Sequence, residues 1–307
     1  MKSMFLPLGL IASFIIAWAI PEAGSLLKEI GLIPWMIVTI FLVNGYQTNL
    51  SELPRDRSFV YTLTLAAIIS LLISPLIGLG VSELLILPTG IALGIIVTAT
   101  VPPTLSTCIV MTQLTNGRAT WALVMTVILN IAGVFTIPFM LGLTVQGDQL
   151  SIDPWPLLQK LMLLVLLPFI LGSLAKQVAT IDPKHVFLQY LPSSCVILTV
   201  WMALSDSSEV FQQLTVAVLS KIAIATLLLH FGLMLLALLA SKLINLPAEE
   251  RLAMLFTTSQ KTLPVAVSVL AALNMPIGEA VLTCVLFHFL MLFIDSLLVP
   301  KLRIKAE

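Results

Sequence analysis

Apolar stretches of about 20 residues, the length that crosses a bilayer core, alternate with short polar connections along all 307 residues. The pattern predicts ten helical segments, at residues 4–20, 32–50, 59–79, 85–114, 119–144, 157–179, 187–205, 213–244, 249–274 and 277–300. One interruption differs from the rest: Thr257-Thr258-Ser259-Gln260-Lys261-Thr262 places six polar residues in a row inside the apolar stretch from Met254 to Leu273. A lysine ammonium in hydrocarbon costs about 3 to more than 10 kcal/mol, so such a residue is expected to face protein or a watery cavity and to mark a pathway. Ten residues, about 15 Å of helix, separate Arg251 from Lys261, half of a bilayer core of about 30 Å. Lys261 is therefore expected near mid-depth, beyond easy snorkelling reach. A shorter, shifted helix would leave it at an interface instead.

Two segments carry helix breakers near their middles. The fourth has Pro102-Pro103 amid Thr98, Thr100, Thr104, Ser106 and Thr107, and the ninth has Pro264 beside the polar run. Proline removes an N–H and clashes with the preceding turn, freeing backbone groups that hydrocarbon cannot satisfy. Sliding the first half by 158 positions sets Thr104-Leu105 on Thr262-Leu263, Thr100 on Thr258, Asn116 on Asn274 and Ala122 on Ala280. The same offset superposes the two interrupted segments and divides the ten into five plus five. An odd number of spans per copy gives inverted repeats, and matched interruptions point to a ligand site where broken helices cross. Kinks that merely bond back to their own backbone are the bland alternative.

Composition agrees with a polytopic membrane protein: 59% of residues are hydrophobic and 10% charged, against about a quarter charged in soluble domains. Net charge is zero, which suggests no nucleic-acid partner, so basic residues inform through their sidedness. With ten spans the terminal side collects Lys2, Arg55, Arg57, Arg118, Lys176, Lys184, Lys242, Arg251, Lys301, Arg303 and Lys305, and the other side Lys28, Lys160 and Lys221. Eleven against three predicts both termini in the cytoplasm. Lys2, the apolar run Phe5 to Ile16 and Ala17-Trp18-Ala19 mimic a leader peptide, but losing that segment would upset the asymmetry, so it is read as a retained helix. Cys108, Cys195 and Cys284 sit singly in apolar segments and read as small core residues. No metal site or cofactor is expected.

With ten spans, broken fourth and ninth helices, and Val110-Met111-Thr112-Gln113-Leu114 followed by Gly117 before the fifth span, the chain resembles the bile acid:sodium symporter superfamily, solute carrier family 10, over nearly its whole length. The resemblance implies an all-α polytopic membrane protein with two inverted repeats, residues 1–153 and 154–307. It further implies a panel domain of helices 1, 2, 6 and 7 moving against a core domain of helices 3 to 5 and 8 to 10, with substrate between them. Well-known members move organic anions with sodium. At their sodium positions this chain departs: Phe256 stands for a Glu, Lys261 for an Asn, Cys108 and Ile109 for a Ser-Asn pair, and Ala122 for a ligand, while Gln260 and Thr126 retain oxygen. These departures resemble a divergent branch that includes bacterial proteins of unassigned substrate.

The expectation that follows is a secondary transporter of a small organic anion in the bacterial inner membrane, working by alternating access and not conventionally sodium-coupled. Lys261 would act as a tethered cation among Thr258, Gln260, Thr262 and the carbonyls freed at Pro102-Pro103. A desolvated lysine could instead load and release a proton, attract the anion directly, or pin the broken helices. The coupling ion is expected to be a proton or none. Thr104, Thr126 and Asn130 are further candidates near the crossing. Asn44, Gln47 and Asn49 are candidates for the cavity wall, with helix capping as the alternative. His230 and His288 read as hydrogen-bonded packing residues or proton relays, and Asp295 as an interfacial partner of the basic tail. A sodium-coupled symporter, or a channel or regulator on the same fold, remains the competing reading. The chain has no His-Glu-x-x-His, Gly-x-Ser-x-Gly or P-loop motif of an enzyme.

Overall fold

The computed structural model describes residues 2–48, 54, 56–145, 152–178, 182–183, 185–205, 215–273 and 277–304. Asn49, Arg55, Lys184, Asn274 and Lys305 lie outside them. The described chain is helical: α1 (Lys2–Ala19), α2 (Pro21–Glu29), α3 (Leu32–Gln47), α4 (Arg57–Leu84), α5 (Thr89–Thr100), α6 (Thr107–Leu114), α7 (Ala119–Thr144), α8 (Pro154–Val178), α9 (Val186–Ser205), α10 (Val216–Leu243), α11 (Ala248–Ser259), α12 (Leu263–Ala272) and α13 (Gly278–Leu302). Among the described residues six helices, α4, α7, α8, α9, α10 and α13, are long and apolar enough to cross a membrane singly. A bent pair, Phe5–Ala19 with Pro21–Glu29, would make a seventh, and α3 and α5 are shorter apolar helices.

Local chemistry sets the ends of these helices. Pro21 disfavours helical backbone at Ile20, which sits at φ −140°, and then begins α2 as a favoured first-turn residue. The chain bends there by 100°, and α2 is an element the hydrophobic pattern did not indicate. Asn116 and Asn245 adopt positive φ, 60° and 51°, just past α6 and α10, the left-handed position that asparagine tolerates. Three lysines donate to carbonyls at helix C-termini: Lys160 to Ala272, Lys176 to Thr48 and Lys221 to Ile86. A cation there complements both the unpaired carbonyls and the helix dipole.

Two helices contain a π-helical turn, Ile68–Ile73 in α4 and Met162–Leu166 in α8. Each ends two residues before a proline, Pro75 and Pro168. A proline inside a helix loses one ladder bond and crowds the carbonyl four residues back, and a widened turn relieves that crowding. In α4 the turn carries Ser70 into the interior, fully buried.

Packing follows small residues. Gly45 of α3 and Gly172 of α8 face each other so closely that a methyl at either would overlap the partner's backbone, at Phe169 and Leu42 respectively. α1, α2 and α3 pack on α9, and α3 packs on α8. α5 packs on α4 and α13, and α10 on α11 and α13. The outer surface is apolar: Leu227, Leu228, Phe231, Leu235 and Leu239 of α10 are all exposed, a composition suited to lipid and not to water. The bounds of α4 and α10, α5 and α11, and α7 and α13 begin 159 positions apart, at 57 and 216, 89 and 248, and 119 and 278. That register is one residue longer than the offset of 158 read from side-chain identities. It pairs Pro102, not Pro103, with Lys261.

Candidate functional site

Both breaks lie beside prolines. α5 ends at Thr100 and continues through Val101 in extended conformation, φ −72° and ψ 152°, before Pro102-Pro103. α11 ends at Ser259, Gln260 is likewise extended at φ −78° and ψ 149°, and Pro264 sits in the first turn of α12. The two breaks meet directly: the Thr262 N–H donates to the Pro102 carbonyl at 3.0 Å.

Lys261 projects from this junction and is 1% exposed. Its Nζ donates to the Ser70 carbonyl at 2.8 Å, the Val101 carbonyl at 3.1 Å and Ser70 Oγ at 3.2 Å. A lysine ammonium has three N–H donors, and these three oxygens match them. The side chain thus reaches a carbonyl at the fourth-helix break, but the expected neighbours do not surround it. Thr258 donates to Met254 on its own helix, Gln260 points elsewhere, and Thr262 faces a cavity. The missing partner is Ser70, brought in by the π-turn of α4. The only trace of it in the sequence is a serine in an apolar span five residues before a proline.

Gln260 joins a second buried network. Its Nε2 donates to Asp295 Oδ2 at 2.6 Å, and its Oε1 accepts from the Thr107 hydroxyl at 2.7 Å. With its proton committed to Gln260, Thr107 accepts from Thr104 at 2.8 Å. Asp295 is fully buried and also meets His230 Nε2 at 3.0 Å, while His230 Nδ1 lies 3.2 Å from the Ser259 carbonyl. A carbonyl only accepts, so Nδ1 carries a proton, and the imidazole and carboxyl share the one between them. The interfacial assignment of Asp295 is thus corrected: helix α13 runs on to Leu302 and keeps this residue against His230 of α10 and Gln260 at the end of α11. His230 is the hydrogen-bonded packing residue that its sequence context suggested.

Beside the junction lies a cavity of about 310 Å³. Thr104, Thr262 and Asn130 line it from the breaks and α7, and Asn44 and Ser193 from α3 and α9. Asn130 is held by donating to Pro103 and Thr126 carbonyls, at 2.9 and 2.8 Å. His288 of α13 also lines it, 5% exposed and with neither ring nitrogen bonded to the protein. The cavity extends to Gln47 and Thr48 at the end of α3 and to Leu6 near the start of α1. Of the sequence candidates, Thr104, Thr262, Asn130 and Asn44 share the cavity; Lys261, Gln260 and Thr258 lie behind it, and Thr126 donates to Ala122 in α7.

The positions that resemble sodium ligands are apolar or internally bonded. Phe256 and Cys108 are fully buried in one hydrophobic cluster with Met234 and Leu255, and Ala122 is buried in another. Cys108 Sγ lies 2.8 Å from the Thr104 carbonyl and 3.3 Å from Thr126 Oγ1.

Known proteins resemble this sequence along its length. The model of the SBF-like CPA transporter family matches residues 4–304. The chain is 27% identical over 318 residues to the probable sodium/metabolite cotransporter BASS4, chloroplastic, of Oryza sativa subsp. japonica, covering 97% of this chain and 75% of that protein. It is 28% identical over 316 residues to the Arabidopsis thaliana protein of the same description, covering 96% and 71%. An uncharacterized Pseudomonas aeruginosa protein is 24% identical over 319 residues, covering 98% and 94%.

Proposed function

The chain belongs to the SBF-like CPA transporter family, and from that premise we propose a secondary active transporter that carries a small organic anion by alternating access, with Lys261 in place of a coupling sodium ion. One observation carries this reading: the Lys261 ammonium sits among three oxygens drawn from the α4 π-turn and the α5 break. Those oxygens would serve a bound cation equally well, and the tethered cation fills the place permanently. Burial of Phe256 and Cys108 where sodium-coupled relatives are expected to bear oxygen ligands supports the same conclusion.

The substrate site is the cavity beside the crossing. Its walls come from α1, α3 and α9 on one side and from the breaks, α7 and α13 on the other, which are the panel and core of a rocking transporter, residues 1–153 and 154–307 forming the two repeats. The 159-residue register of helix bounds supports inverted repeats and ten spans, with α5–α6 and α11–α12 as the two broken ones and α2 an interfacial helix. Contacts among the α6–α7 connection, the start of α11 and the segment after α13 support the same alternation: Arg118 pairs with Glu250 at 3.0 Å and Asn116 donates to Ile304, all on the basic, terminal side. That side is the cytoplasm by the positive-inside rule, and the cavity reaches toward it. The protein is placed in the bacterial inner membrane.

A sodium-coupled symporter is the second reading, favoured by the description of the plant relatives as probable sodium/metabolite cotransporters. Uptake of radiolabelled straight-chain carboxylates into proteoliposomes, at clamped membrane potential with sodium or choline outside, separates the two. Saturable uptake that is equal in both salts is expected. Uptake that requires sodium would replace this reading with the second, and flux that never saturates would mean a pore.

A further inference from the structure

We propose that the His230 imidazolium, held by Asp295, is a second tethered cation, so that both helix breaks carry a built-in positive charge and neither takes up a free cation. The inference rests on reading Lys261 as an occupied cation place and extends that reading to the second break. Ser259 ends α11, so its carbonyl is one of those that a helix C-terminus leaves without a backbone donor. His230 Nδ1–H donates to it at 3.2 Å, and Nε2 meets Asp295 Oδ1 at 3.0 Å. A carboxylate beside a bare carbonyl is a ligand set for a hard cation, and here a fully buried imidazole stands between the two. The Ser259 and Thr257 hydroxyls are also buried without partners, so this segment holds more oxygen than its own hydrogen bonds require.

The second break thus repeats the first with different residues. In the 159-residue register Leu229-His230 of α10 corresponds to Ser70-Leu71 of α4, so each break is met by the same turn of equivalent helices. Lys261 reaches the Val101 carbonyl at the first break, and His230 reaches the Ser259 carbonyl at the second. Asp295 is fully buried, and a carboxylate there without a cation beside it would carry a large desolvation cost. Its Oδ2 already accepts from Gln260 Nε2 at 2.6 Å, and imidazole is a stronger base than carboxylate, so the shared proton rests on His230. Among the described residues no other cation serves the pair: Lys261 is engaged by Ser70 and Val101, and the α4 π-turn and α5, which also pack on α10, carry no ionisable side chain. On α13 His288 and Cys284 lie about two and three turns before Asp295, and Glu249, Glu250 and Arg251 lie at the far end of α11. Gln260 also accepts from Thr107 of the cavity wall, which links the pair to the substrate site.

The chain has three histidines, so protein labelled with 15N-histidine in lipid nanodiscs reports each imidazole separately. At pH about 7.5, where a free imidazole is mostly neutral, His230 should show both nitrogens protonated, and Asp295→Asn should shift it to the neutral form. Removing the tethered charge while keeping its carboxylate should open a cation site. His230→Ala is therefore expected to bind one radioactive sodium ion per chain with saturation, and its melting temperature should rise with sodium but not with choline. The wild type and the double variant His230→Ala/Asp295→Asn should bind none. A neutral His230 in the wild type, a folded His230→Ala that binds no sodium, or a double variant that still binds it would overturn the proposal and leave the Lys261 reading standing. If the substituted proteins do not fold, the wild-type signal decides alone. Sodium bound by the wild type would overturn the Lys261 reading as well.

Discussion

Lys261 is unusual less for being buried than for what surrounds it. Backbone oxygens, not a carboxylate, hold the ammonium, and the acidic group nearest along the network, Asp295, is committed to His230 and Gln260. Lys261→Met keeps the volume and removes the donors, leaving the Ser70 and Val101 carbonyls unpaired. Such a loss costs about 1–3 kcal/mol, to be read from the unfolding midpoint in detergent, and transport should be abolished while membrane insertion persists. Ser70→Ala deletes one of the three acceptors and keeps its carbonyl. A smaller penalty of about 1 kcal/mol is expected there, with transport reduced but present. Equal effects of the two substitutions would mean that the oxygens do not act as a cage.

At the scale of elements, close approach and broken ladders determine the arrangement. A methyl on Gly45 or Gly172 would overlap backbone across the α3–α8 contact, whereas one on Gly80 of α4 would meet nothing within 4 Å. Gly45→Ala and Gly172→Ala should each destabilise by about 1–3 kcal/mol through overpacking, while Gly80→Ala should leave the melting temperature unchanged or slightly raised. Indistinguishable melting of all three would remove the close-packing account. Prolines and a polar run are local signals, which is why the broken helices and the burial of Lys261 are legible in the sequence. Asn44 and Asn130 were legible as well, being polar residues in apolar segments. Ser70 was not, because its role depends on a π-turn that shifts the helix face. Asp295 is not legible, because its short separation from Lys301 along the chain says nothing of the His230 and Gln260 side chains that the fold brings to it.

The whole molecule offers a cavity that leads from the junction toward the ends of α1 and α3, and alternating access requires that this route close as another opens. The three native cysteines are buried, so the chain supplies a low background for labelling. Ser193→Cys should react with a membrane-impermeant thiol reagent from the terminal side of the membrane, and a transported carboxylate should slow the reaction. Reaction from the opposite side alone would reverse the assigned orientation. The claim on which the transport account depends is that the lysine already occupies the cation's place, and equilibrium binding of radioactive sodium to the purified protein tests it without knowledge of the substrate. No saturable binding is predicted for the wild type; one sodium ion bound per chain with saturation would contradict the account.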